Sequence, residues 1–372
     1  MNLEDDKYYT IMRDKVSRMI AGSEQSIKKA ILDFKQLATS IEDTIFTNGE
    51  NNLRMQFQQS SEGITLFLPS DGVHVQSLSV HPLALTQIAS KLGTKGSIIT
   101  DYMSGERWKR ELAAYILNEH SMHTDKRFLA RVVDNQLRGF LSEKYKRFDS
   151  GKIIAQFLIS ATQAQLMPVS SHVGDTKIFF ECIHPQVFAI PTKNNGVAYV
   201  VFGARLAISD FGDGAMDLRK FMIQVSCWNG QTRETVMREI HLGGRIEADF
   251  EVSQETFMLE TAARTSAVRD VMKSMFSRDS ILSEVNNIKK ASEIIVPANK
   301  IQELGKKGMY QSEVKMLEEY LMASRIEDGV SGELSLWKLS QGIGAVARDV
   351  DERRRRDLND LAGLIFSESF KK

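Results

Sequence analysis

Between Phe128 and Asp149 the chain reads FLARVVDNQLRGFLSEKYKRFD, in which two apolar runs of strand length, Phe128 to Val133 and Gln136 to Leu141, flank the dipeptide Asp134-Asn135. Asp and Asn tolerate positive φ better than other residues with a side chain, so this connection predicts a tight antiparallel hairpin. A two-residue turn fixes the register, and the register fixes which side chains share a face. A chain of 372 residues with such a hairpin at its centre is committed to building a sheet around it.

The segment is also unusual in charge. From Lys126 to Lys152 there are eight Lys or Arg against Asp134, Glu143 and Asp149, a local excess of +5 in a chain whose 48 basic and 48 acidic residues cancel. Arg138 and Phe140 fall on one face of the second strand, and Lys144, Tyr145, Lys146 and Arg147 follow it. This pattern predicts a surface that stacks bases on Phe140 and Tyr145 and places Arg127, Arg131, Arg138, Lys144, Lys146, Arg147 and Lys152 on phosphates. The competing reading makes Phe140 core and the basic residues a solvated edge that discourages strand addition.

The run Arg138-Gly139-Phe140-Leu141-Ser142 with Tyr145 and Asp149, then Cys227-Trp228-Asn229-Gly230, His241-Leu242-Gly243 and Leu336-Trp337, resembles the signature of a phage/plasmid-like family catalogued as domain of unknown function 932. Where that family has Asn-Ser-Glu followed by glycine, this chain has Ser209-Asp210-Phe211-Gly212. The resemblance implies a gene context of replicating or invading DNA and states no activity.

Around the hairpin, period and punctuation predict an α+β fold. The expected arrangement is a mostly antiparallel sheet core, an N-terminal helical and β-meander region (1–121), a β-rich middle (122–252) and a C-terminal helical subdomain (253–372). Ile27, Ile31, Phe34, Ile41 and Ile45 repeat at helical spacing and predict an amphipathic helix, packed on its own domain or on a second copy in a homo-oligomer. Strands are expected over Leu53 to Gln58, Ile64 to Leu68, Val73 to Val80, Gln165 to Val169, Lys177 to Ile183, Val197 to Ile208 and Asp217 to Cys227. Helices are expected after His81-Pro82, after Ser104-Gly105-Glu106, and over Asp149 to Ala161, Ser253 to Phe276, Ser280 to Ala291, Ser312 to Ala323 and Ser331 to Lys371. Within the last, Arg353 to Arg356 lie among acidic neighbours and read as a solvated helical run.

Other chemistries have weaker support. Cys182 and His184 are spaced as metal ligands, but Cys227 has no close second ligand, so buried structural thiols account for the pattern and no cofactor is expected. Cys227 with His241 lacks any feature that would activate a thiol, and Asn229-Gly230 reads as a turn. Asp210, Asp213 and Asp217 sit among glycines as a loop would, which leaves a metal-dependent nuclease the weakest reading. No Walker-type glycine loop with its lysine is present. The start, MNLEDDKYY, lacks a signal peptide, no apolar run reaches the length of a membrane helix, and the cysteine usage suits a reducing cytoplasm. These observations favour a non-catalytic protein that binds single-stranded DNA and anneals strands in recombination or replication. The alternative is a protein-binding anti-defence or virion-associated factor, which neutrality favours.

Overall fold

The computed structural model describes residues 7–50, 53–61, 63–70, 74–143, 145, 150–225, 229–239, 253–323 and 332–368. Two six-stranded sheets with helices around them make the fold α+β.

The first sheet is built from β1 (Glu42–Thr47), β2 (Gln56–Ser60), β3 (Gly63–Ser70), β4 (His74–Val80), β5 (Arg127–Val133) and β6 (Gln136–Ser142), in the order β1-β5-β6-β4-β3-β2. All its pairs are antiparallel except β4 with β6, which are parallel because three helices intervene before β5. These are α2 (Pro82–Lys91), α3 (Gly96–Met103) and α4 (Arg107–Met122). Asp134 and Asn135 both adopt positive φ, at 51° and 60°, and close the β5–β6 hairpin as their chemistry predicts. The hairpin is thus the middle of a sheet that begins at β1, so the expected division at residue 121 falls inside one sheet. Leu66, Leu78, Leu137 and Phe140 meet Ile88 of α2 and Leu117 of α4 in its core.

The second sheet contains β7 (Met167–Val173), β8 (Ile178–Ile183), β10 (Val197–Ile208), β11 (Met216–Gln224) and β12 (Asn229–Glu239), in the order β12-β11-β10-β8-β7, with β9 (Phe188–Pro191) paired to β10. Gly203 of β10 is required here: a Cβ would lie 2.5 Å from the Phe221 ring, which packs across it from β11. Beneath this sheet α5 (Ser150–Gln163) and α6 (Gln254–Met275) bury Ile154, Phe157, Val268 and Met272 against Phe180, Leu206 and Leu218.

The C-terminal helices α7 (Arg278–Glu293), α8 (Asn299–Glu303), α9 (Gln311–Ala323), α10 (Leu336–Val346) and α11 (Glu352–Ser367) form a core around Trp337, whose ring meets Phe366 edge-on at 5.7 Å. Serines open several of the helices: Ser253, Ser277 and Ser335 each accept a backbone N–H at the N-cap of α6, α7 and α10. The single helix expected over Ser331 to Lys371 is two, because Val350 is extended and Asp351 caps a fresh start by accepting the Arg354 N–H.

The long N-terminal helix α1 (Lys7–Ser40) has 34 residues and lies against β7. Ile27 is buried, and Ile31 and Phe34 pack against the core beneath the second sheet. Ile41 follows the helix and Ile45 belongs to β1, where it is 50% exposed. The five residues therefore do not form one free stripe, and the helical part of the set is used within the chain. No helix among the described residues is long and apolar enough to cross a membrane.

Candidate nucleic-acid interface

The hairpin's internal place in the first sheet decides what its side chains do. Phe140 is fully buried, 4.8 Å from Phe128 and 6.2 Å from Phe46 between ring centroids, so it is a core residue and not a platform for bases. Arg131 is also fully buried. A bulge in the β5–β6 register at this position accompanies a bidentate contact in which its Nε and Nη2 donate to Asp43 at 2.7 Å each, while Nη1 donates to the Asp210 carbonyl. A guanidinium so enclosed cannot reach a phosphate, and both expectations are corrected.

The other predicted residues scatter around this point. Tyr145 is half-buried, with the Arg131 guanidinium 5.4 Å from its ring centre. Burial pushes its phenol well above the ordinary range, against the pull of the Arg131 charge. Arg138 donates to Gln136 at 3.2 Å and to the Asp175 carbonyl at 3.3 Å, with its side chain 15% exposed. Arg127 pairs with Glu143 at 3.2 Å and Lys152 is exposed on α5. Lys144, Lys146 and Arg147 lie outside the described residues.

What the hairpin and the segment from Ser209 to Gly212 build together is a seam between the sheets. The Asp210 carboxylate accepts the Ser150 hydroxyl at 2.6 Å, and Ser209 donates to the Thr176 carbonyl at 2.7 Å. Gln87 of α2 bridges the sheets, accepting the Phe140 N–H at 2.7 Å and donating to the Phe211 carbonyl at 2.9 Å. Gly212, at φ 75°, fits against Leu141 and Gln87, where a Cβ would come within 2.9 Å of both. The three loop aspartates do not converge, since Asp213 accepts from Thr176 and Asp217 from Arg219. Among the described residues no group of three or more His, Cys, Asp or Glu is placed to hold a metal. Cys182 is buried beneath the second sheet, where desolvation pushes its thiol up to about 12. Cys227 and His241 lie outside the described residues.

A cleft that the sequence did not single out lies on the opposite face of the second sheet. Register places Phe179 opposite His172, Glu181 opposite Ser170 and Arg205 opposite Glu181, so these side chains share one face. Arg355, Arg356 and Asn359 of α11 close the other side of a cavity of about 210 Å³. Arg356 lies over the Phe179 ring with its guanidinium carbon 3.6 Å from the centroid. Arg205 donates to Glu181 at 2.5 Å and stands 6.0 Å from the Phe221 centroid. Among the described residues the lining carries Arg205, Arg355 and Arg356 and one carboxylate, Glu181, which pairs with Arg205. At the rim Arg219 joins Asp217 and Asp360; burial alone would lower it, but the two carboxylates outweigh that and raise it. Asn359 is 7% exposed and its Oδ1 has no hydrogen-bond partner among the described residues.

The basic run Arg353 to Arg356 was visible in the sequence; Arg354 makes a local pair with Asp357 at 3.8 Å and Arg355 is exposed, but the run also makes contacts beyond its own helix. Arg354 reaches α9, where Glu313 accepts at 2.7 Å and the Tyr310 ring lies 4.3 Å below the guanidinium. Arg355 donates to the Ala347 carbonyl at 3.2 Å, and Arg356 enters the cleft.

No family model, curated protein or solved structure matches this chain.

Proposed function

We propose that the protein binds single-stranded DNA without cleaving it and promotes strand annealing, and that its contact is the arginine cleft of the second sheet and not the hairpin. The observation that carries this reading is the stack of Arg356 on Phe179 at the wall of the 210 Å³ cavity. A guanidinium stacks on aromatic rings and its planar fork matches phosphate geometry, and aromatic walls accept any base. The Asn359 Oδ1, which has no partner among the described residues, supplies an acceptor for a base or sugar donor in the same space. The cavity is below the usual range of pockets for whole small-molecule ligands, roughly 300 Å³ upward, and suits part of a nucleotide whose neighbours stay outside.

The test is fluorescence anisotropy of a labelled single-stranded oligonucleotide across a salt series, with the wild type and an Arg355→Gln/Arg356→Gln variant. Binding that weakens steeply with salt, and at least about tenfold in the variant, supports the proposal. Absence of wild-type binding at low salt overturns it. A protein-binding role is the second reading, and what favours it is the exposed stripe of Trp108, Leu112 and Tyr115 on α4, 56%, 37% and 60% exposed.

A further inference from the structure

The helix α4 has two apolar faces, and the first sheet uses one of them. Ala113, Ala114 and Leu117 are buried in the core of that sheet. On the opposite face Trp108, Leu112, Tyr115 and Met122 recur at helical spacing, and Met122 at 57% exposed continues the stripe toward the end of the helix. An exposed apolar stripe on a helix that already packs on its own core marks a contact with another molecule. Glu111 and Glu119 are exposed on the same side, and carboxylates beside the rings disfavour a phosphate backbone there.

The charges along the stripe say which molecule fits. Arg107 closes on Glu111 at 2.8 Å, and Trp108 Nε1 donates to Glu106 at 2.6 Å. Lys109 near one end and Glu119 near the other are in no ion pair among the described residues; the Lys109 Nζ lies 5.6 Å from the Trp108 ring centre. The two charges are separated by about 15 Å along the helix, at ~1.5 Å per residue. A second α4 laid antiparallel on the first, with a two-fold axis between Leu112 and Tyr115, reverses their order and brings each Glu119 to the partner's Lys109. From this self-complementarity we infer that the chain forms a two-fold dimer through α4, in which the stripes pack on one another and two Lys109–Glu119 pairs close the ends.

An isologous contact makes every interaction twice. Leu112 of one copy meets Tyr115 of the other at the centre, and each Trp108 lies over the C-terminal half of the facing helix. Fully buried Trp and Tyr account for about 150–250 Å² each, so the stripe at its observed exposure supplies roughly 400 Å² per copy, short of the ~1,200 Å² of stable interfaces. The dimer is therefore weak and reversible, with a dissociation constant on the order of 10 μM. None of these residues lines the arginine cleft, so the dimer and the cleft stand or fall separately.

The experiment is sedimentation equilibrium of the full chain over concentrations about tenfold either side of that constant. The wild type should pass reversibly from monomer to dimer. Trp108→Ala should weaken association at least about tenfold, because the ring is lost from both halves of the contact. Lys109→Glu and Glu119→Lys each set like charges against one another and should weaken it about fivefold. An equimolar mixture of these two variants should associate as tightly as the wild type, since each copy then supplies the charge that the other lacks. Thermal melts confirm that the variants fold. A wild type that stays monomeric over the whole range overturns the inference, as does a dimer whose constant is unchanged by Trp108→Ala. A mixture no tighter than either charge variant alone overturns the antiparallel pairing.

Discussion

Nδ1 of His81 accepts the Leu83 N–H at 3.1 Å and so caps α2, which it can do only while that nitrogen is unprotonated. Burial lowers the His81 pKa, with the Asp175 carboxylate pulling the other way and losing. His184 repeats the device, accepting the Gln186 N–H at 3.1 Å with its pKa also lowered by burial. Because the folded values lie below the unfolded one of about 6.5, the unfolded chain takes up the proton first. The stability these residues contribute is therefore complete above pH ~6.5 and is lost as the pH falls through that value toward the folded ones. Urea unfolding at pH 7.5 and 5.5 should show a loss that shrinks by about 1 kcal/mol in His81→Asn, since Asn keeps the capping acceptor and does not titrate. An unchanged pH dependence in that variant would refute the assignment. Arg131 is a second residue whose role is settled by burial. Removing it strands the Asp210 carbonyl and half of an ion pair whose other member, Asp43, is 41% exposed and can rehydrate. Arg131→Ala should cost about 3 kcal/mol in urea unfolding, the low end for a broken buried pair. Oligonucleotide affinity per folded molecule should not change.

Local sequence specified most elements, and what it missed has identifiable causes. Asp134-Asn135 closes its hairpin, Val197 to Ile208 is the strand β10, and His81-Pro82 starts α2, because in each case a turn or cap residue marks a boundary beside a clear period. The helices α3 and α8 and the strands β1, β9 and β12 were not expected; the first four are short, and β12 (NGQTRETVMRE) alternates too few apolar residues to announce a strand. The candidate site was the least legible part. Its residues come from five strands and helices far apart in the chain, so only the sheet register brings Phe179, Glu181 and Arg205 to face Arg356. Conversely, the excess of charge around the hairpin was real, but the hairpin's place in the middle of a sheet turns Arg131 and Arg138 into internal partners. Edge protection is another property that only pairing reveals. The Asn118 side chain of α4 accepts the Phe57 N–H and donates to the Phe57 carbonyl, both at 2.8 Å, and so takes the place of a neighbouring strand beside β2. Asn118→Ala should lower stability by about 2 kcal/mol for the two lost bonds and raise the rate of aggregation, read by urea unfolding and light scattering.

At the scale of the whole molecule, the question is whether two sheets with separate cores behave as one unit. Connections among the described residues that cross between them include Arg131 to the Asp210 carbonyl, Gln87 to both Phe140 and Phe211, and Arg138 and His81 to Asp175. The helix α1 adds a brace within the second half, since Met12 and Val16 pack against Tyr199 and Val201 while Ile31 and Phe34 reach the core beneath the same sheet. Buried hydrogen bonds and a buried guanidinium couple their partners strongly, because opening the seam would leave each of these groups unsatisfied in a desolvated place. The wild type should therefore unfold in a single transition. The tryptophans make this measurable, because Trp108 reports on α4 of the first half and Trp337 on the C-terminal core. With Trp228 replaced by Phe, variants that retain only Trp108 or only Trp337 should give the same urea midpoint. Adding Gln87→Ala and Arg131→Ala together removes the main connections while leaving both hydrophobic cores nearly intact, and the two midpoints should then separate, with the first half unfolding earlier because it loses the packing partner of its central hairpin. If the midpoints still coincide, the seam is not what couples the halves, and cooperativity must come from the backbone connection through α5 and the packing it makes on α6.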